Sequence, residues 1–160
     1  MELIRWIALF GATAAVGLMA GVFFAYSMSV MPGLARTDDR TFVAAFQAID
    51  RAIINPVFLL TFLGALVFPA AATVLLIGQG PAFWWALAAF ALYLAVVMIT
   101  GRVHVPRNNA LKAAGAPERI DTAAARERFG EAEWSRWNAV RVFLNLASLG
   151  CLAAALAAFV

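Results

Sequence analysis

Residues 52–101 read AIINPVFLLTFLGALVFPAAATVLLIGQGPAFWWALAAFALYLAVVMITG, fifty positions without one Asp, Glu, Lys or Arg. About 20 apolar residues in a helix cross the hydrocarbon core of a bilayer, so fifty are too many for one crossing. Gly78-Gln79-Gly80-Pro81 divides the run, because glycine ends a helix and proline opens the next. The stretch therefore predicts a helical hairpin with both arms in the membrane. Two more charge-free tracts flank it, of 30 residues at 6–35 and 19 at 142–160, so 99 of the 160 positions lie in such runs. The fold expected is an all-α, integral membrane four-helix bundle, a single domain over 1–160 with spans near 6–31, 54–77, 82–103 and 139–159.

The composition excludes several classes. Hydrophobic residues are 64% of the chain and charged residues 13%, against roughly half and about a quarter in soluble domains. A soluble dinucleotide-binding enzyme and a secreted disulfide scaffold do not fit. The sequence pI of about 9.8 invites a nucleic-acid reading, but the basic residues flank membrane segments and no nucleic acid is expected as a partner. A single cysteine, Cys151, allows neither an intrachain disulfide nor a redox pair.

The basic residues also orient the chain. Of twelve Lys/Arg, only Arg5 precedes residue 36, and the other eleven fall in 36–51 and 102–141. The positive-inside rule puts both loops in the cytoplasm and both termini outside, in a bacterial-type inner membrane. Each loop carries short helical signals. Thr37-Asp38-Asp39 offers a cap, and Phe42, Ala45, Phe46 and Ile49 recur at helical spacing, which predicts an interfacial amphipathic helix. In the second loop a linker, Lys112 to Pro117, leads to Asp121 as a cap for a helix through Phe129. Gly130 breaks it before a helix that continues into the last span. In the first span, Gly17-x-x-x-Gly21-x-x-x-Ala25 is expected to let helices approach closely.

Uncharged polar and aromatic residues gather at the loop end of the bundle. Ser27 closes the first span, Asn55-Pro56 opens the second, and Arg102, His104, Pro106, Asn108 and Asn109 follow the third. Pro106 disfavours helix at Val105, so the third span is expected to fray there. Trp134, Trp137, Asn138, Arg141, Asn145 and Ser148 share a sector of about 100° on the last helix. A polar stripe entering an apolar bundle should face inward, because lipid offers it no partners. It predicts one wall of a cavity open toward the cytoplasm. Each element also has a plainer role: Asn55 as an N-cap, the tryptophans as interfacial anchors, Arg141 as a snorkelling cation and His104 as a hydrogen-bonded interfacial residue.

One histidine and no clustered carboxylates argue against an autonomous metal site. The inventory leaves a base (His104), a fixed cation (Arg141), amide donors (Asn108, Asn109, Asn138, Asn145) and flat aromatic walls. Such a set suits a flat, apolar ligand with one oxygen able to carry negative charge.

Four ordered motifs carry a resemblance. They are Gly17-x-x-x-Gly21 through Ser27 to Met31-Pro32-Gly33-Leu34; Phe46-Gln47-Ala48-Ile49-Asp50-Arg51 leading to Asn55-Pro56-x-Phe58; Val105-Pro106-x-Asn108-Asn109-x-Leu111; and Trp134-x-x-Trp137-Asn138-x-x-Arg141. Together they cover nearly the whole chain, which resembles the anthrone oxygenase-like membrane proteins. The resemblance implies four spans and cofactor-free oxidation of anthrones to anthraquinones, although many members have no known activity. It implicates Ser27, Gln47, Asn55, Pro106, Asn108, Trp137, Asn138 and Arg141. On this reading His104, Arg141 and Asn138 are catalytic. Ser27, Gln47, Asn55, Asn108, Asn109, Trp134, Trp137 and Asn145 bind substrate, and no metal or cofactor takes part. The expected partners are the lipid bilayer and a small lipophilic or aromatic molecule, with self-association left open. Two alternatives stand beside it: a non-enzymatic binder of a lipophilic molecule, and a structural tetraspan protein whose polar stripe packs and leaves no cavity.

Overall fold

The computed structural model describes residues 1–160, and the chain is helical throughout, without strands. It is an integral membrane protein with four helices long and apolar enough to cross a bilayer. The first rod joins α1 (Glu2–Ala25), a π-helical segment (Tyr26–Val30) and α2 (Met31–Leu34). A surface helix, α3 (Asp39–Ile53), follows, then α4 (Pro56–Leu75). The third rod joins α5 (Pro81–Ile99), a second π-helical segment (Thr100–His104) and α6 (Val105–Ala113). The fourth element is α7 (Thr122–Phe129), jointed at Gly130 to α8 (Glu131–Phe159). In the ring, α1 packs against α4 and α8, and α5 against the same two.

Helix starts follow the sequence closely. Asp38 accepts hydrogen bonds from the Thr41 N–H (3.0 Å) and hydroxyl (2.6 Å), and Asp121 accepts from the Ala124 N–H (3.0 Å). Asn55 accepts from the Phe58 N–H (3.0 Å), with Pro56 opening α4. Gly130 has φ +68°, a left-handed joint that only glycine adopts readily.

Two rods exceed the membrane. At 33 residues each, the first and third are about 50 Å long, against roughly 30 Å of hydrocarbon. Their surplus lies at the loop end, where α2, α3, α6, α7 and the start of α8 enclose a second core. Met31, Phe42, Val43, Phe46, Leu111, Ala125, Phe129 and Trp134 are buried there.

Three expectations need correction. First, α3 does not lie on the interface with its apolar face toward lipid. It buries Phe42, Val43, Phe46, Gln47 and Asp50 against the protein, and Ile49 is only partly covered. The projecting rods supply the surface that covers it. Second, the third span does not fray before Pro106. It widens into a π-turn over Thr100–His104 and continues as α6. A proline inside a helix lacks an N–H and clashes with the carbonyl four residues back, and one extra residue in the turn absorbs that conflict. The first rod repeats the device, with Tyr26–Val30 widened just before Met31-Pro32. Third, the Gly17/Gly21 stripe is not where helices touch. A Cβ at Gly21 would meet nothing within 4 Å and one at Gly17 only Leu149 at 3.9 Å, whereas at Gly11 it would lie 2.9 Å from the Phe68 ring.

Candidate functional site

The two π-segments face the polar stripe of α8, and between them lies a cavity of about 110 Å³. Its walls are Val22, Phe23 and Tyr26 from the first rod, Thr100, His104, Val105 and Asn108 from the third, and Trp134 and Arg141 from α8. Phe46, Asp50, Ile53, Ile54 and Phe58 close it from α3 and the start of α4. Buried Phe46 and Asp50 form a roof, and the only exposed residues in the lining are Ile54 (55%) and Val105 (44%). The mouth is therefore apolar and opens sideways between α4 and α6, not straight toward the loop side as the stripe alone suggested.

Arg141 is the centre of this arrangement. It is 5% exposed and forms no ion pair with a carboxylate. One terminal nitrogen donates to the Thr100 hydroxyl (3.1 Å) and the other to Asn138 Oδ1 (2.7 Å). The guanidinium lies over the Phe23 ring at 4.2 Å and faces Trp134 at 5.6 Å. A guanidinium has five N–H donors. Two are used, and Nε has no partner. Its supports are themselves fixed. The Thr100 hydroxyl donates to Val96 O (2.8 Å), and Asn138 Nδ2 donates to Phe23 O (3.0 Å) and Ser27 Oγ (2.7 Å).

This fixes the role that Asn138 and Ser27 can play. With both amide hydrogens and its oxygen engaged, Asn138 has no donor left for a ligand, and it positions Arg141. His104 is also buried, edge-on to Trp134 at 4.8 Å, and neither ring nitrogen has an intramolecular partner. Asn108 donates to Asp50 Oδ1 (2.7 Å) and accepts from Trp134 Nε1 (2.9 Å). Asp50 also pairs with Lys112 (2.6 Å). Of the sequence candidates, His104, Arg141, Asn108 and Trp134 thus share one cavity.

The others stand apart from it. Gln47 ties α3 to the end of α6 through Leu111 O (2.8 Å) and Gly115 O (3.0 Å). Asn55 is an exposed N-cap, and Asn109 is exposed on the outer side of α6. Trp137 is half-buried and outside the lining. Asn145 is fully buried two turns along from Asn138, with both amide atoms unpartnered. Sequence reasoning missed Asp50, Tyr26 and Thr100. Asp50 had a signal: it falls four residues after Phe46, on the face that α3 buries. No three His, Cys, Asp or Glu side chains converge anywhere.

The family model described as anthrone oxygenase matches residues 42–151 of the 160. The chain belongs to the anthrone oxygenase family. The match takes in α3 from Phe42 onward, both arms of the hairpin, the Thr100–His104 π-turn and the polar stripe of α8, hence every cavity residue outside the first rod. No curated protein and no solved structure matches the chain.

Proposed function

We propose that this anthrone oxygenase family member is a cofactor-independent oxygenase acting on a flat, anthrone-type aromatic ketone. The observation that carries the reading is Arg141, a buried cation without a counter-ion, aimed with spare donors into an aromatic-walled cavity. Burying an unpaired charge is costly. The one carboxylate nearby, Asp50, is already balanced by Lys112. A ligand oxygen that acquires negative charge supplies the missing partner.

The chemistry follows from that. His104, as a neutral imidazole, has one lone pair and one N–H and removes a proton from the ketone's C10 methylene. The negative charge moves to the carbonyl oxygen, where Arg141 holds it. One well-placed donor of this kind is worth about 3–4 kcal/mol in comparable oxyanion sites. The electron-rich anion then reacts with dioxygen, and the apolar walls keep water from returning the proton. The net change is one dioxygen consumed, with one quinone carbonyl and one water formed. Drug-sized pockets run to roughly 300–1,000 Å³, so a three-ring ketone enters only as Ile54 and Val105 part. Their position favours arrival from within the bilayer, with both loops in the cytoplasm.

A cavity under the stripe speaks against a purely structural role. The deciding measurement is dioxygen uptake by detergent-solubilised protein given emodin anthrone, in a metal-free preparation. Uptake above the spontaneous background with quinone formation is expected. Saturable binding of the anthrone without uptake would move the reading to a lipophile-binding protein.

A further inference from the structure

Converting a methylene to a carbonyl removes two protons from the same carbon, and His104 takes only one of them. The cavity contains a second. Asp50 is the only carboxylate in its lining and is 6% exposed. Two consecutive turns of α6 hold it, Asn108 on Oδ1 at 2.7 Å and Lys112 on Oδ2 at 2.6 Å. Oδ1 has a further lone pair beyond the bond it accepts from Asn108, and Oδ2 meets Lys112 as an ion pair without accepting a hydrogen bond. A docking role for α3 does not account for a charge here. Gln47 already ties α3 to α6 through two backbone carbonyls, and Phe42, Val43 and Phe46 seat its apolar face.

We propose that Asp50 is the second base of the reaction, resolving a 10-hydroperoxide into quinone and water. This rests on the oxygenase reading. In the first half, His104 takes one C10 proton and the carbanion adds dioxygen. The protonated imidazole then returns its proton to the peroxide, leaving a C10–H, C10–OOH centre. In the second half, Asp50 accepts the remaining C10 proton. The C–H electron pair becomes the new C=O bond, and the O–O bond breaks, with its electrons leaving on hydroxide. Asp50 gives its proton to that hydroxide, forming water. Carbon is oxidised by two electrons in each half, dioxygen receives all four, and both bases end as they began.

The test separates the halves. Purified protein is given emodin anthrone while dioxygen uptake and quinone are followed together, and separately the authentic 10-hydroperoxide. Asp50→Asn keeps the shape and an acceptor for Asn108 but removes the base. Quinone formation is expected to lag about 100-fold or more behind uptake, as for loss of a general base, with hydroperoxide accumulating. The added hydroperoxide should persist at its buffer rate. If quinone keeps pace with uptake, or uptake falls in step with quinone, the assignment is overturned. Should Asp50→Asn fail to assemble, Asp50→Glu keeps the charge opposite Lys112 while displacing the base, and the same split between uptake and quinone is expected. Equal loss of both would again overturn it. No uptake by the wild-type protein removes the oxygenase reading, and this assignment with it.

Discussion

Arg141 and Asn138 are hydrogen-bonded neighbours on α8 but answer differently to substitution. Arg141→Ala removes the anion partner, and dioxygen uptake with an anthrone should fall by about 10²–10³-fold, the usual loss for one oxyanion donor. The bundle should still assemble, because the empty protein gains nothing from an unpaired buried charge; elution and helical content in detergent check this. Arg141→Lys keeps the charge but cannot reach Thr100 and Asn138 at once. It should recover only part of the activity. Asn138→Ala supplies the complementary result: it frees the guanidinium without touching a ligand, so kcat should drop while anthrone binding by the apolar walls changes little. Parallel losses in kcat and binding would place Asn138 against the ligand.

At the scale of the helices, the caps were legible and the widened turns were not. Asp38, Asn55 and Asp121 advertise helix starts because a short acceptor before an apolar-periodic run has few other uses. The π-segments leave only an indirect trace, a proline two residues beyond the end of each (Pro32 and Pro106), which reads equally well as a helix end. The outward turn of Asn109 on α6 comes after the second of these shifts in register, whereas Asp50 turns inward simply because it follows Phe46 by four residues on the buried face of α3. The cap of α3 also carries a pH signature. The Thr41 hydroxyl and N–H hold the Asp38 carboxyl below its ordinary value. Its contribution is therefore present above that ordinary value and disappears as pH falls through the depressed one. Asp38→Ala should lower the melting temperature at neutral pH, and the two proteins should converge in acid; a constant difference would assign the effect to something other than the carboxylate. For glycines, Gly130→Ala forces a left-handed residue and should cost about 1 kcal/mol, while Gly21→Ala, meeting open space, should be neutral or mildly stabilising. Thermal denaturation in detergent ranks the pair.

The whole molecule was readable in outline from the absence of charge alone, because a bilayer tolerates so few alternatives. What escaped was the second core at the loop end. Its residues are scattered over α2, α3, α6, α7 and α8, and no local periodicity announces that two 33-residue rods project far enough to gather them. The Lys/Arg bias toward that same end sets the expected orientation. With Cys151 replaced by Ser, a cysteine at Gln79 should react with an impermeant maleimide added outside intact cells, and one at Glu118 only after lysis. The reverse pattern would invert the topology and put the polar end on the outer face.

The missing counter-ion of Arg141 has a consequence for how this protein can be studied. Whatever neutralises that charge binds the folded state alone, and a ligand present at 100 times its dissociation constant stabilises the native fold by about 2.7 kcal/mol. Melting temperature thereby becomes a chemical sieve. Compounds of one shape that differ only in the acidity of a single oxygen should raise it in order of that acidity, so heat alone can sort candidate partners before any reaction is known.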